Sequence, residues 1–208
     1  TPAGMHRSIC VNEIMDFLNI QPGQIGMDAT LGYGGHSLEM LKRLAPNGHL
    51  YATDVDPFEL PKTRDRLAAL GFGPEVLTIK KMNFSGIDLI AEEAGLLNFV
   101  LADLGVSSMQ IDNPQRGFSY KVDGPLDLRL NPKSGKSAAD LLKKISFEEL
   151  VRIFTENADE PHAEKIAKRI IAKDNDKYLA MDNEERLAIF KELALKEKLA
   201  ALKEDLAA

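Results

Sequence analysis

Ile25-Gly-Met-Asp-Ala-Thr-Leu-Gly-Tyr-Gly-Gly-His36 begins as a short apolar run and ends as a glycine-rich turn. It reads as a buried strand whose carboxyl end opens into a loop. Leu101-Ala-Asp-Leu-Gly-Val-Ser-Ser-Met-Gln110 has the same layout further along the chain. Ligands of open α/β sheets sit in the crevice beyond such carboxyl ends. Two loops of this kind on one sheet predict a pocket.

Working outward, residues 11–18 carry apolar side chains at 11, 14, 15 and 18, the spacing of a helix, and Pro22-Gly23 ends it. Residues 25–29 are the first strand and 37–44 a helix with Leu38, Leu41 and Leu44 on one face. Asn47-Gly48 is a turn before a second strand at 50–54. A helix at 57–70 follows, with Pro57 suited to its first turn and Pro61 out of place unless the helix starts there. Strands at 76–79 and 98–104 flank a helix at 87–94. Strands alternating with helices at this spacing predict a parallel α/β sheet with right-handed crossovers.

The pattern changes at Gly105. Residues 105–136 are polar and rich in Gly, Pro and Asp, and a loop of ~30 residues inside a domain is usually functional. Beyond it everything reads as helix: 137–144, 147–155, 162–173 and an Ala/Leu/Glu/Lys stretch at 182–208, where Asp182 and Glu185 resemble a capping box. The expected domains are 1–136, which includes the long loop, and 137–208.

Composition is that of an ordinary soluble globular chain, with 44% hydrophobic and 28% charged residues among 208. No apolar run approaches ~18 residues, so no membrane span is expected. The lone Cys10 fits a reducing compartment, the cytoplasm, and with four scattered histidines gives no zinc pattern. The net charge of −6 argues against binding nucleic acid over the whole surface. It is unevenly spread: residues 113–144 hold seven basic side chains against three acidic ones. Such a patch either meets phosphates or is a solvated face.

Four positions carry the chemistry. Gly32, Gly34 and Gly35 let backbone approach a ligand closely. Their spacing, G-x-G-G, is not the G-x-G-x-x-G of a nicotinamide dehydrogenase, and no Lys-Ser or Lys-Thr follows as in a P-loop. Asp28 is placed to orient the turn. Asp54 ends the second strand, where a carboxylate takes ribose hydroxyls; Asp56, two residues on, is either a rival for that role or, the favoured reading, the cap of the next helix. Asn83-Phe84 follows the third strand, and Phe84 either lies against an adenine or belongs to the core. Asp103 ends the fourth strand and either faces an amine or is a buried structural acid. Together they outline a nucleoside site that suits S-adenosylmethionine at least as well as a dinucleotide.

These residues resemble a known family. Met27-Asp-Ala-Thr-Leu-Gly-Tyr-Gly-Gly-His-Ser37, Thr53-Asp-Val-Asp-Pro57, Asn83-Phe84, Ala102-Asp-Leu-Gly-Val-Ser-Ser-Met-Gln-Ile-Asp112, Arg116-Gly-Phe-Ser119 and Asp123-Gly-Pro-Leu-Asp-Leu-Arg129 are similar to the bacterial 16S rRNA cytosine-N4 methyltransferases, the small-subunit rRNA methyltransferase H type. The likeness runs from about residue 6 to about residue 173, and the stretch 103–129 is its most specific part. It implies a Rossmann-like methyltransferase core of about four recognisable strands followed by a helical segment. It implies S-adenosylmethionine as donor, a cytidine of 16S rRNA in the small ribosomal subunit as acceptor, and a cytoplasmic enzyme. By motif position Gly34, Gly35, His36, Asp54, Phe84, Asp103 and Gln110 would hold the cofactor. Asp112, Arg116, Asp123 and Arg129 would line the substrate side, together with Asp127.

Methylating an exocyclic amine is an in-line displacement, so catalysis is mostly alignment. A carboxylate or carbonyl facing the amine would localise its lone pair as the N–H proton leaves; Asp103 is the first candidate and Asp127 the second. The family's second sheet-forming half, with its His-Pro-Ala-Thr-Arg and Phe-Gln-Ala motifs, has no counterpart here, and the helical stretch from Asp182 stands in its place. Leu128 and Leu130 replace methionines, and His6-Arg7-Ser8 departs from the family's apolar-proline pair after the histidine. The other reading is therefore a non-catalytic or incomplete relative that binds cofactor or RNA, or completes its fold with a partner chain such as a second copy.

Overall fold

Residues 8–172 are described in the computed structural model. They fall into two compact units, 8–111 with 130–135, and 112–129 with 136–172. The sequence reading keeps all of 105–136 with the first domain. The structure gives 112–129 to the helical unit, because the carbonyls of Leu126 and Asp127 accept from the N–H groups of Ala139 and Ala138. The stretch at 182–208, with its Asp182–Glu185 pair, lies outside the described residues.

The first unit opens with helix α1 (Val11–Leu18), strand β1 (Ile25–Asp28), helix α2 (Gly35–Leu44) and strand β2 (His49–Asp54). Helix α3 (Glu59–Ala69), strand β3 (Leu77–Lys81), helix α4 (Ile87–Ala94), strand β4 (Phe99–Leu101) and the short helix α5 (Ser108–Ile111) follow. The sheet is four-stranded in the order β3-β2-β1-β4, and every pairing is parallel. Met27 lies between Tyr51 and Val100, which puts the carboxyl ends of the strands along one edge.

Strand order reverses after β3, so the chain returns to lie on the other side of β1. Right-handed crossovers then send α2 and α3 to one face of the sheet and α4 to the other. Burial follows this division. Met40, Leu41 and Leu44 of α2 and Leu67 of α3 pack with Leu50 and Ala52 on one face, joined by Met15 of α1. Met27 and Ala29 pack with Ile90 of α4 on the opposite face. Leu50 and Ala52 point one way and Tyr51 the other, the alternation of a strand buried on both sides.

Boundaries differ from the sequence reading for local reasons. Helix α2 starts two residues earlier than expected because Gly34 takes a left-handed φ of 83° as its N-cap. Helix α3 starts at Glu59, and Asp56 accepts the N–H groups of Phe58 and Glu59. Pro61 therefore falls in the first turn, where a missing N–H costs nothing. Strand β4 is shorter than the expected 98–104, since the Asp103 N–H leaves the ladder and donates to the Thr30 hydroxyl at 2.8 Å.

The second unit holds helices α6 (Ala138–Leu142), α7 (Phe147–Ala158) and α8 (Ala163–Ala172). Ser137 and Ser146 cap α6 and α7, accepting from Asp140 N and Glu149 N at 3.1 Å each. Helices α7 and α8 pack on each other; Leu150, Ala163 and Ala167 are their buried positions. Among the described residues, no helix is long and apolar enough to cross a membrane.

Candidate functional site

The strand order places a topological switch between β1 and β4, where a crevice is expected at the carboxyl ends. A cavity of ≈ 370 Å³ lies there, within the first unit. That is inside the ~300–1,000 Å³ range of small-molecule sites. Gly34, Gly35, His36, Asp54, Phe84, Asp103 and Gln110 all line it, contributed by the loops after the four strands. Asp112, Arg116, Asp123, Asp127 and Arg129 belong to the second unit.

The floor of the turn is Asp28. It is buried and accepts from the Thr30 N–H at 3.0 Å and the Ser37 hydroxyl at 2.6 Å. Burial pushes its carboxyl above the ordinary carboxylate range, against those two hydrogen bonds, which pull the other way. Asp54 closes the far side: Oδ2 accepts from Gly32 N at 2.7 Å and Oδ1 from Asp56 N at 2.8 Å. Each carboxylate oxygen has two acceptor positions, so one on each oxygen remains for a ligand hydroxyl. Asp56 is buried and accepts from Phe58 N and Glu59 N ahead of α3, whose N-cap is Phe58 and not Asp56 as the sequence suggested.

The glycines have a packing reason the sequence did not disclose. A Cβ at Gly34 would sit 2.7 Å from Thr63 Cγ2 of α3, and one at Gly35 would collide with the Ser8 side chain. The turn is gripped from α3. The Thr63 hydroxyl donates to the Gly32 carbonyl at 2.6 Å. The Arg66 guanidinium donates to the Tyr33 carbonyl and lies 3.5 Å from the centre of the Tyr33 ring. Thr63 and Arg66 are one helical turn apart on one face, which was the available signal; nothing local tied them to a loop thirty residues upstream.

His36 is buried, with Nε2 2.9 Å from the Ile9 carbonyl and Nδ1 3.7 Å from Asp103 Oδ2. The carbonyl makes Nε2 the donor and turns the other ring nitrogen toward Asp103. The Asp103 side chain is 42% exposed, open to the cavity mouth, where Leu104 and Val106 form an apolar rim. Phe84 is 42% exposed, so it is not core; Asn83 starts the turn that carries it by accepting from Ser85 N at 2.9 Å. Gln110 is buried, and its amide joins Asp56 to the Ser107 backbone.

In the second unit Asp127 is clasped by Arg129, whose N–H, Nε and Nη2 reach it at 3.0, 2.8 and 2.5 Å. The Arg129 fork holds that carboxyl below the ordinary carboxylate range. Arg116 is buried and donates to the Arg129 carbonyl at 3.1 Å. Asp112 and Asp123 are exposed.

Comparison with known proteins adds the family. Ribosomal RNA small subunit methyltransferase H 2 of Alkaliphilus metalliredigens is 69% identical over 173 residues, 83% of this chain and 50% of that protein. Ribosomal RNA small subunit methyltransferase H 1 of Lachnoclostridium phytofermentans is 68% identical, covering 82% of this chain and 47% of its own length. The H 1 protein of Agathobacter rectalis is 65% identical, covering 82% and 49%. The chain thus spans about half the length of the curated relatives it matches. The model of the MraW methylase family matches residues 3–201, past the end of the motif likeness near residue 173. By a match over that span, the chain belongs to the MraW methylase family.

Proposed function

We propose that the first unit binds S-adenosylmethionine and that the protein methylates the exocyclic N4 of a cytidine in 16S rRNA, on the small ribosomal subunit. One observation carries this reading: an acid, a glycine turn, an exposed aromatic and a second acid, each from a different strand end, share one cavity. The residues fit the cofactor in kind. Asp54 keeps acceptor positions for ribose hydroxyls, and Phe84 offers a ring face to a base. The strand order sets the turn at Gly34-Gly35 and His36, which follows β1, between the β2 end with Asp54 and the β4 end with Asp103, where the methionine part would reach, and Gln110 lines the same cavity.

When bound, the sulfonium supplies an electrophilic methyl group. The protein's part is to align the amine and take its proton. Asp103 suits that role, because its carboxylate is open at the mouth and can accept from the amine N–H. Asp127 suits it less, since three N–H bonds from Arg129 already stabilise its charge and weaken it as a proton acceptor. A cytidine must be unpaired or flipped out to present N4. On the substrate side we assign Asp112, Arg116, Asp123 and Arg129 by their place in the family motif.

Calorimetric titration of the full chain with S-adenosylmethionine is the first test, and binding heat is expected. No heat and no thermal shift would end the reading. Transfer of labelled methyl to 16S rRNA or immature small subunits is the second. Binding without transfer by the wild-type chain would favour the non-catalytic alternative. If transfer occurs, Asp103→Asn should lower it by about 10²-fold or more.

A further inference from the structure

A buried hydrogen bond joins the loops that carry the two ends of the cavity. Gln110 Nε2 donates to Asp56 Oδ2 at 2.8 Å, between residues that are 8% and 1% exposed. Each partner is anchored in its own loop. Asp56 Oδ1 accepts from Phe58 N at 2.8 Å and Glu59 N at 3.3 Å, which fixes it to the start of α3. Gln110 Oε1 accepts from Ser107 N at 2.9 Å, and Gln110 N donates to Ser107 Oγ at 3.3 Å, which fixes it to the loop after β4. Asp56 N, in turn, donates to Asp54. A chain of bonds therefore runs from the ribose-side acid, Asp54, through Asp56 and Gln110 to the loop that begins at Asp103.

We propose that Asp56 and Gln110 are positioning residues: their hydrogen bond is a strut that sets the span between Asp54 and Asp103, and so the distance between the nucleoside end and the reacting end of the site. The proposal rests on reading the cavity as the S-adenosylmethionine site. Strand β4 contributes a three-residue ladder, and the Asp103 N–H ties the start of its loop to the Thr30 hydroxyl. The strut ties the part of that loop beyond Asp103 to the loop after β2. A hydrogen bond to a buried charged group is among the stronger ones.

The geometry allows a test by exchange of partners. In Asp56→Asn the Oδ1 position can still accept from the start of α3, but the new amide faces the Gln110 amide, donor to donor. In Gln110→Glu a carboxylate faces a carboxylate. In the double variant the amide introduced at position 56 donates to the carboxylate introduced at position 110, so the bond is restored with its direction reversed. Two ligands separate span from grip: adenosine engages only the nucleoside end, and S-adenosylhomocysteine reaches both.

By calorimetry on the full chain, each single variant is expected to lose about tenfold or more in S-adenosylhomocysteine affinity with little change for adenosine. The double variant is expected to recover most of the loss. Methyl transfer should follow the same order in kcat. Singles that bind S-adenosylhomocysteine like wild type, a double no better than the singles, or parallel losses for both ligands would each overturn the strut. A wild-type chain that binds neither ligand overturns the cofactor reading itself, and the strut with it. If a melting curve shows that one single variant has not folded, the other single and the double decide: an unchanged ratio of the two affinities in that single overturns the proposal, and a fallen ratio that recovers in the double supports it.

Discussion

Asp28 shows how one side chain connects the fold to the site. It ends β1, lies fully inside, and holds the first turn of the glycine loop through Thr30 and the start of α2 through Ser37. Its carboxyl is raised above the ordinary value of 3.8 by burial. The folded chain therefore keeps a proton there over a pH range in which the unfolded chain has lost it. The stabilising contribution of this group is complete at low pH and is lost as pH rises through the folded value. Asp28→Asn keeps the acceptor for Thr30 N and can donate to Ser37 Oγ without carrying charge. The variant should gain on wild type as pH rises, with the difference in melting temperature small near pH ~4 and largest near neutrality. Melts of both proteins across that range check it, and a difference that is flat or of opposite slope would refute it. At Asp54 the expectation is simpler. Removing its carboxylate in Asp54→Ala strips the acceptor from Gly32 N and Asp56 N, and S-adenosylmethionine affinity should drop by about tenfold or more.

At the scale of elements, the glycine turn and α3 behave as one piece. Gly34 needs its left-handed φ of 83°, and its missing Cβ leaves room for the Thr63 methyl. Gly34→Ala should cost about 1–3 kcal/mol through backbone strain and the clash together. Adding Thr63→Ser removes the methyl but keeps the hydroxyl that donates to the Gly32 carbonyl. The double variant should recover the clash part and not the strain part. Denaturant midpoints of the three proteins measure this, and a double no more stable than Gly34→Ala would show that Thr63 does not limit the turn. In the helical unit, Leu150 is the large buried apolar side chain of α7. Leu150→Ala should cost about 2–4 kcal/mol in that unit, read as earlier loss of helical signal on heating.

Over the whole molecule, legibility in the sequence followed distance along the chain. Asp28 and Asp54 could be read at strand ends, and Asp103 just beyond one, because a short apolar run, an acid and a turn are neighbours in sequence. The helix phases at 11–18 and 87–94 were equally local. What escaped was long-range: Thr63 and Arg66 gripping the turn, Gln110 meeting Asp56, and residues 112–129 joining the helical unit through backbone bonds to Ala138 and Ala139. Charge is the property of the whole chain that a short motif cannot convey, and it bears on the acceptor. The protein is acidic overall, yet Lys121, Lys133, Lys136, Lys143 and Lys144 are exposed within the one basic stretch. An acidic protein repels RNA except where such a stretch meets phosphates, so if the proposed acceptor is right, binding of 16S rRNA should weaken with salt in proportion to the phosphates neutralised there. Replacing Lys121, Lys136 and Lys144 by Gln should flatten the plot of log affinity against log salt by ~0.7–0.9 for each phosphate no longer neutralised. S-adenosylmethionine affinity should stay the same, because these lysines do not line the cavity. An unchanged salt slope would place the RNA on another face and leave the basic stretch as solvated surface.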